Sequence, residues 1–262
     1  MSPLPESFLH SLVAWLDDEN TIGLALAGSF ARGEGDPCSD VDLWHYLQQV
    51  PIAEESFPRL LFRDGYLVSI TTTTLEKDYA SLQNPERAIW AIPGLRQARI
   101  LLDKDGALAA LKETAEKATW STLQAAADGY ASRQLAGCAE EVHKIMGGLA
   151  QQDESRTLYA VWGLTRGLAT ALLVQRGVLI SSENTYINSA QAAAGRTSAW
   201  ACQFRLAIGL DPLPADEPIF FGYGLASLRL YRETFALLRH ILLPEDIAVI
   251  GRTLEIMAEA GY

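Results

Sequence analysis

Apolar positions recur along the first hundred residues with two different periods. Phe8, Leu9, Leu12, Val13 and Leu16 stand at helical spacing within 5–19, and the acidic run Asp17-Asp18-Glu19 closes that segment. Four short apolar runs follow: TIGLALA (21–27), DVDLWHYL (40–47), GYLVSITTTT (65–74) and ARILLD (98–103). Each predicts a strand, the third through its β-branched content and the last through the turn signal DKDG that stops it. Between the last two runs, LEKDYASLQ (75–83) and PERAIWAI (85–92) predict short helices, the second tolerating a proline at its start.

From Ala107 the pattern changes. Ala, Leu, Gln and Glu dominate and strand signals disappear, predicting helices over about 107–118, 121–150, 155–177, 188–209, 223–242 and 244–260. GLDPLPADEPIF (209–220) carries three prolines and predicts a loop. There is no repeat of fixed period and no low-complexity tract. The expected fold class is α+β: an α/β domain with a mixed sheet over residues 1–108, then a helical bundle over 109–262, with the boundary near 104–112.

Composition narrows the function classes. With 49% hydrophobic and 20% charged residues, the 262-residue chain has the makings of a substantial core. Residues 1–111 hold 8 Lys/Arg against 16 Asp/Glu, and residues 112–262 hold 13 against 16, so most of the net charge of −11 lies in the first part. Phosphate-backbone binding needs clustered Lys and Arg, so the balance argues against nucleic acid and suits a cationic small molecule. Cys38, Cys138 and Cys202 lie far apart without CxxC spacing, which predicts reduced thiols in a cytoplasmic setting. MSPLPESFLHSLVAWLDDEN has no basic start or cleavage site, so no signal peptide is expected. LYAVWGLTRGLATALLVQRG (158–177) is interrupted by Arg166 and closed by Arg176, so no membrane span is expected.

The chemistry concentrates in LALAGSFARGEGDPCSDVDLWHYL (24–47). On a strand, Asp40 and Asp42 share one face while Val41 and Leu43 take the other. Two neighbouring carboxylates repel unless a cation lies between them, and a hard divalent ion such as Mg²⁺ takes oxygen ligands. Gly28 permits close backbone approach to a ligand, Ser29 offers a hydroxyl to a phosphate oxygen, and Arg32 adds positive charge one turn on, in the short helix expected at FARGE. Taken singly these residues have plainer readings: Ser29 as a helix cap, Asp40 closing the turn after DPCS, Arg32 as a solvated side chain.

As a set, GSFARGEGDPCSDVDL resembles the signature of the polymerase-β-like nucleotidyltransferase superfamily: a strand, Gly-Ser, about ten residues, then Asp-apolar-Asp. Within it, the GSFARGE turn and the helical second half resemble the antibiotic nucleotidyltransferases acting on aminoglycosides or lincosamides, and also the small minimal nucleotidyltransferases. The resemblance implies Mg²⁺ on Asp40 and Asp42, and a nucleoside triphosphate tail, as in ATP, on Gly28 and Ser29. It implies transfer of a nucleoside monophosphate to a hydroxyl of an acceptor; the acidic balance and the helical second half favour a small, cationic acceptor over nucleic acid, and no membrane partner is expected.

The superfamily pattern also implies a third acid on a neighbouring strand. YLVSITTTT carries none, and its apolar alternation puts Ser69 at that place, between Val68 and Ile70. Three explanations stand: another register in which Asp64 or Glu76 supplies the acid; a carboxylate from the helical part, Glu140, Glu141 or Glu183; or a nucleotide-binding or regulatory protein with little chemistry. His45 falls by parity on the face opposite the aspartates, which predicts a packed or hydrogen-bonded histidine.

Overall fold

The computed structural model describes residues 4–50, 58–214 and 217–262. The chain forms two compact units. The first takes the chain up to Thr119 and adds Leu179–Glu183; the second takes Trp120–Val178 and Asn184–Tyr262.

The first unit is built on a five-stranded sheet. Its elements are α1 (Glu6–Leu16), β1 (Thr21–Leu26), α2 (Gly28–Ala31), β2 (Val41–Leu47), β3 (Arg59–Arg63), β4 (Tyr66–Thr73), α3 (Leu75–Gln83), α4 (Pro85–Gln97), β5 (Arg99–Asp103) and α5 (Ala107–Lys117). The strand order is β3-β4-β2-β1-β5. β1 is antiparallel to β2 and β5, β2 is parallel to β4, and β3 is antiparallel to β4. The sheet is therefore mixed, and with the helices that follow in sequence the fold class is α+β, as the pattern predicts.

Alternation along β2 assigns the two faces. Val41 and Leu43 join Leu26, Val68 and Ile70 in a core closed by Leu4, Phe8, Leu9 and Leu12, the apolar stripe of α1 and its approach. His45 points to this same side by parity, is buried, and lies 2.9 Å through Nε2 from Thr21 Oγ1. Asp42, Trp44 and Tyr46 take the opposite side. There α4 approaches so closely that a Cβ on Gly94 would meet the Trp44 ring. Tyr46 is buried and donates from its hydroxyl to Asp78 Oδ2 of α3 at 2.6 Å. α3 and α4 start where sequence chemistry puts them: Thr74 Oγ1 accepts from Lys77 N, and Asn84 Oδ1 accepts from Glu86 N ahead of Pro85.

Three details of this unit differ from the pattern reading. β3 is an additional strand, joined to β4 by the two-residue turn Asp64-Gly65, where both φ angles are positive (49° and 86°), the geometry that suits a tight hairpin. The short helix after β1 is Gly28–Ala31, so it begins at Gly28 rather than at Phe30. α5 stays with the sheet, its buried Leu108 lying against Gly23 of β1, and the units divide at Thr119/Trp120.

The second unit consists, among the described residues, of helices. They are α6 (Gln124–Gly137), α7 (Ala139–Gln151), α8 (Glu154–Gln175), α9 (Tyr186–Ala194), α10 (Ala199–Ala207), α11 (Ile219–Leu238) and α12 (Pro244–Glu259). The single helix predicted over 121–150 is two, divided at Cys138; the one over 188–209 is also two, divided where Gly195 adopts φ 90° and Ser198 Oγ caps α10 through Ala201 N. The proline-rich loop leads into α11 at Ile219; its positions 215 and 216 lie outside the described residues. α8 is long and apolar enough to qualify by length and composition as a membrane span, and most of it is buried inside the unit as its central helix. Gly147, Gly148, Gly163 and Gly167 let α7 and the start of the α6–α7 junction lie close along it, against Arg156, Thr157, Glu141 and Cys138 respectively.

Candidate functional site

The β1–β2 ladder runs directly into the turn singled out by the sequence. Ala27 is extended and its N–H donates to the Asp42 carbonyl at 2.9 Å, holding the end of β1 beside the start of β2. The next residue, Gly28, turns the chain with φ +65°, a backbone region that only glycine enters without strain. A Cβ there would overlap the Asp42 carboxylate at Oδ2. Gly28 is therefore fixed twice, by its dihedral and by the side chain packed over it.

The plainer readings of the motif residues fail individually. α2 is preceded by Ala27 and has no side-chain cap, so Ser29 is not a cap; its hydroxyl makes no hydrogen bond to the described residues. The turn before β2 is closed by Asp36 and Ser39: Cys38 N donates to Asp36 Oδ1 at 2.7 Å and Asp36 N to Ser39 Oγ at 2.9 Å. Asp40 is left outside that turn, immediately before β2. Arg32 is not a solvated residue. Its side chain is 14% exposed, Nε donates to Glu34 Oε2 at 2.7 Å and Nη1 donates to the Ser181 carbonyl at 3.1 Å.

That last bond shows what the linear pattern did not. Leu179–Glu183 follows α8 by a few residues but belongs to the sheet unit. Ile180 is 2% exposed and its N–H donates to the Ile89 carbonyl of α4 at 2.7 Å. With Arg32 holding Ser181, the segment is clasped on both sides. Glu183, exposed to solvent, ends it.

The charges of these groups meet at Asp42. Its carboxyl is pushed up to about 6, first by burial and next by the Asp40 carboxylate; Arg32 pulls in the opposite direction, and Glu183 pushes further up. A carboxyl with these neighbours is costly to ionise, and an approaching cation offsets that cost. Asp40 and Asp42 together offer a divalent hard ion the oxygen ligands it takes, and Mg²⁺ in particular needs only one or two protein carboxylates beside water and phosphate oxygens. The residues present thus fit such an ion. Among the described residues, no three His, Cys, Asp or Glu side chains converge closely enough to hold one by themselves.

The position expected for a further acid lies where the alternation put it. Ser69 of β4 pairs in register with Asp42 and is 7% exposed. Asp64 sits in the β3–β4 turn and Glu76 in the exposed first turn of α3, at opposite ends of β4, so no alternative register brings either beside Asp42. Glu140 and Glu141, in the helical unit, share Lys144 at 2.8 and 2.9 Å.

No family model matches the chain, and no curated protein matches it. Among solved structures, a nucleotidyltransferase-like protein from Exiguobacterium sibiricum is similar, with a TM-score of 0.49 at 13% identity over 97% of this chain and 80% of that one.

Proposed function

We propose that the protein is a Mg²⁺-dependent nucleotidyltransferase that moves a nucleoside monophosphate from a nucleoside triphosphate, ATP in the first instance, to a hydroxyl of a small cationic molecule of the aminoglycoside type. The observation that carries the reading is the Gly28 turn packed against Asp42, with Asp40 beside it and an unengaged Ser29 hydroxyl one residue on.

The residues divide the work by chemistry. Gly28 leaves room for the Asp42 carboxylate against the turn, the turn binds the triphosphate tail, and the Ser29 hydroxyl donates to a phosphate oxygen. Asp40 and Asp42 would hold the metal, and the Arg32 guanidinium, whose charge acts on Asp42, would balance part of the negative charge that phosphate brings. When bound, Mg²⁺ neutralises charge on the phosphates. In the reaction the acceptor oxygen bonds to the α-phosphorus, the bond from that phosphorus to the bridging oxygen breaks, and pyrophosphate leaves. The strongly acidic first part of the chain favours a cationic acceptor over a polyanionic one.

The deciding experiment is calorimetry with each nucleoside triphosphate and Mg²⁺, followed by pyrophosphate release over a panel of hydroxylated amines. Metal-dependent triphosphate binding that disappears in Asp40→Ala/Asp42→Ala supports the assignment; no binding, or binding indifferent to the double substitution, removes it. A second reading is favoured by one observation, the neutral Ser69 beside Asp42. On that reading the protein binds nucleotide and signals its presence with little turnover, and binding without pyrophosphate release across the panel is its signature.

A further inference from the structure

The sheet face that carries Asp42 continues past it. Ser69 of β4 pairs with Asp42 and Leu60 of β3 pairs with Ser69, so these side chains form one row across β2, β4 and β3. The next row on that face holds Leu67 of β4 and Phe62 of β3, nearer the start of β2, where Asp40 stands. The alternate β3 positions serve the other side of the sheet: the Arg59 and Arg63 guanidiniums lie 5.4 and 4.8 Å from the centre of the Trp15 ring of α1, and Leu61 packs on the core. Leu60 and Phe62 are by contrast 59% and 77% exposed. Two large apolar side chains thus stand in solvent on the face of the acidic pair, with Leu60 about 10 Å from Asp42, two strand spacings away.

We propose that Leu60 and Phe62 select the acceptor, and that the acceptor is an amphiphile: a cationic, hydroxyl-bearing molecule whose apolar or aromatic part lies on β3. The order of the strands carries this. On the proposed reaction the Gly28–Ser29 turn, at the end of β1, takes the triphosphate tail, so pyrophosphate departs on the β1 side of Asp42. In-line displacement brings the attacking oxygen from the opposite side of the α-phosphorus. In the order β3-β4-β2-β1-β5 that opposite side is β4 and then β3, which places the body of the acceptor over Ser69, Leu60 and Phe62. Covering Leu60 and Phe62 removes apolar surface from water, which favours an acceptor with an apolar face over a uniformly polar one. The small neutral Ser69 suits the same occupant, because a carboxylate there would lose its water beneath the apolar part. The inference rests on the nucleotidyltransferase reading and adds to it the class of acceptor.

The test is calorimetric titration of a matched pair, phenyl and methyl β-glucosaminide, into the full chain with Mg²⁺ and a non-hydrolysable triphosphate analogue bound. The phenyl compound is expected to bind at least about tenfold more tightly than the methyl one. Leu60→Ser/Phe62→Ser, a change at exposed positions, is expected to abolish that preference while the triphosphate analogue still binds. Ile247→Ser, which removes an exposed apolar side chain from α12, is expected to keep it. No preference for the phenyl compound, a preference that survives Leu60→Ser/Phe62→Ser, or one lost equally in Ile247→Ser overturns the inference and leaves the proposed function standing. Wild-type protein that binds no triphosphate analogue overturns both. A wild-type dimer that Leu60→Ser/Phe62→Ser converts to monomer in sedimentation assigns the patch to a second copy of the chain and also overturns the inference.

Discussion

Gly28 and Asp42 contest one volume: the side chain that any other residue would place at position 28 lies where Asp42 keeps its carboxylate. Gly28→Ala is expected to destabilise the chain by about 2 kcal/mol or more, because a left-handed φ for alanine costs roughly 1–2 kcal/mol before the overlap is added. Adding Asp42→Ala relieves the overlap and leaves the dihedral strain. Urea denaturation of the two variants separates these contributions, and a double variant no more stable than Gly28→Ala contradicts the packing account.

Asp42 makes the metal-free protein sensitive to pH in a particular direction. Its carboxyl titrates near 6 in the folded chain and near the ordinary 3.8 when unfolded. Between those values the folded state holds the more protons, so stability falls as pH rises through the window and levels off above it. Asp42→Asn is therefore expected to melt higher than wild type at pH 7.5 in the presence of a chelator, with the advantage shrinking towards pH 4. Scanning calorimetry at the two pH values checks the sign; an Asn variant that melts lower at pH 7.5 refutes it.

Arg32 is expected to act at a distance in sequence. Arg32→Met removes the donor to the Ser181 carbonyl while retaining much of the side-chain bulk. Hydrogen bonds from charged donors contribute about 1.5–3 kcal/mol, so the Ile180 amide, which donates to Ile89, is expected to exchange with deuterium at least about tenfold faster. Amides in β1 and β2 serve as the internal reference. Unchanged exchange at Ile180 means that the clasp does not restrain the segment.

Buried Tyr46 and half-buried Asp78 form a pair that the site does not use. Burial holds the Asp78 carboxyl above the usual range, and the Tyr46 hydroxyl is the donor that offsets this. Tyr46→Phe leaves the carboxyl without that donor and is expected to lower stability at neutral pH by about 1–3 kcal/mol. Asp78→Leu in the same background is expected to recover part of the loss, since the uncompensated carboxyl is gone. Chemical denaturation of both proteins measures it.

Much of the sheet was legible because its central strands are short apolar runs between turn residues. The parity of Asp42 against His45 follows from the two-residue repeat alone; the placement of Ser69 needed the superfamily pattern as well, and the β2–β4 register pairs it with Asp42. β3 was not legible. RLLFR is an edge strand whose Leu60 and Phe62 remain exposed, so it has neither a buried apolar run nor clean alternation. The divisions at Cys138 and Gly195 were missed for different reasons: the first leaves the helical period almost intact, whereas the second is marked by GRTS, with a glycine in a left-handed turn and a serine cap. The return of Leu179–Glu183 is set by a carbonyl meeting a guanidinium 149 positions earlier. No local pattern encodes such a contact.

The route of that segment bears on how the chain can be cut and recombined. The polypeptide passes between its two units at Thr119/Trp120, at Val178/Leu179 and again at Glu183/Asn184. A sheet unit ended at Thr119 loses Ile180 and Glu183, and a helical fragment begun at Trp120 carries them away. No single breakpoint divides this gene into a sheet-coding and a helix-coding half. Exchange of the helical unit between relatives, by recombination or by a designer, has to carry five residues of the sheet unit with it or graft them separately.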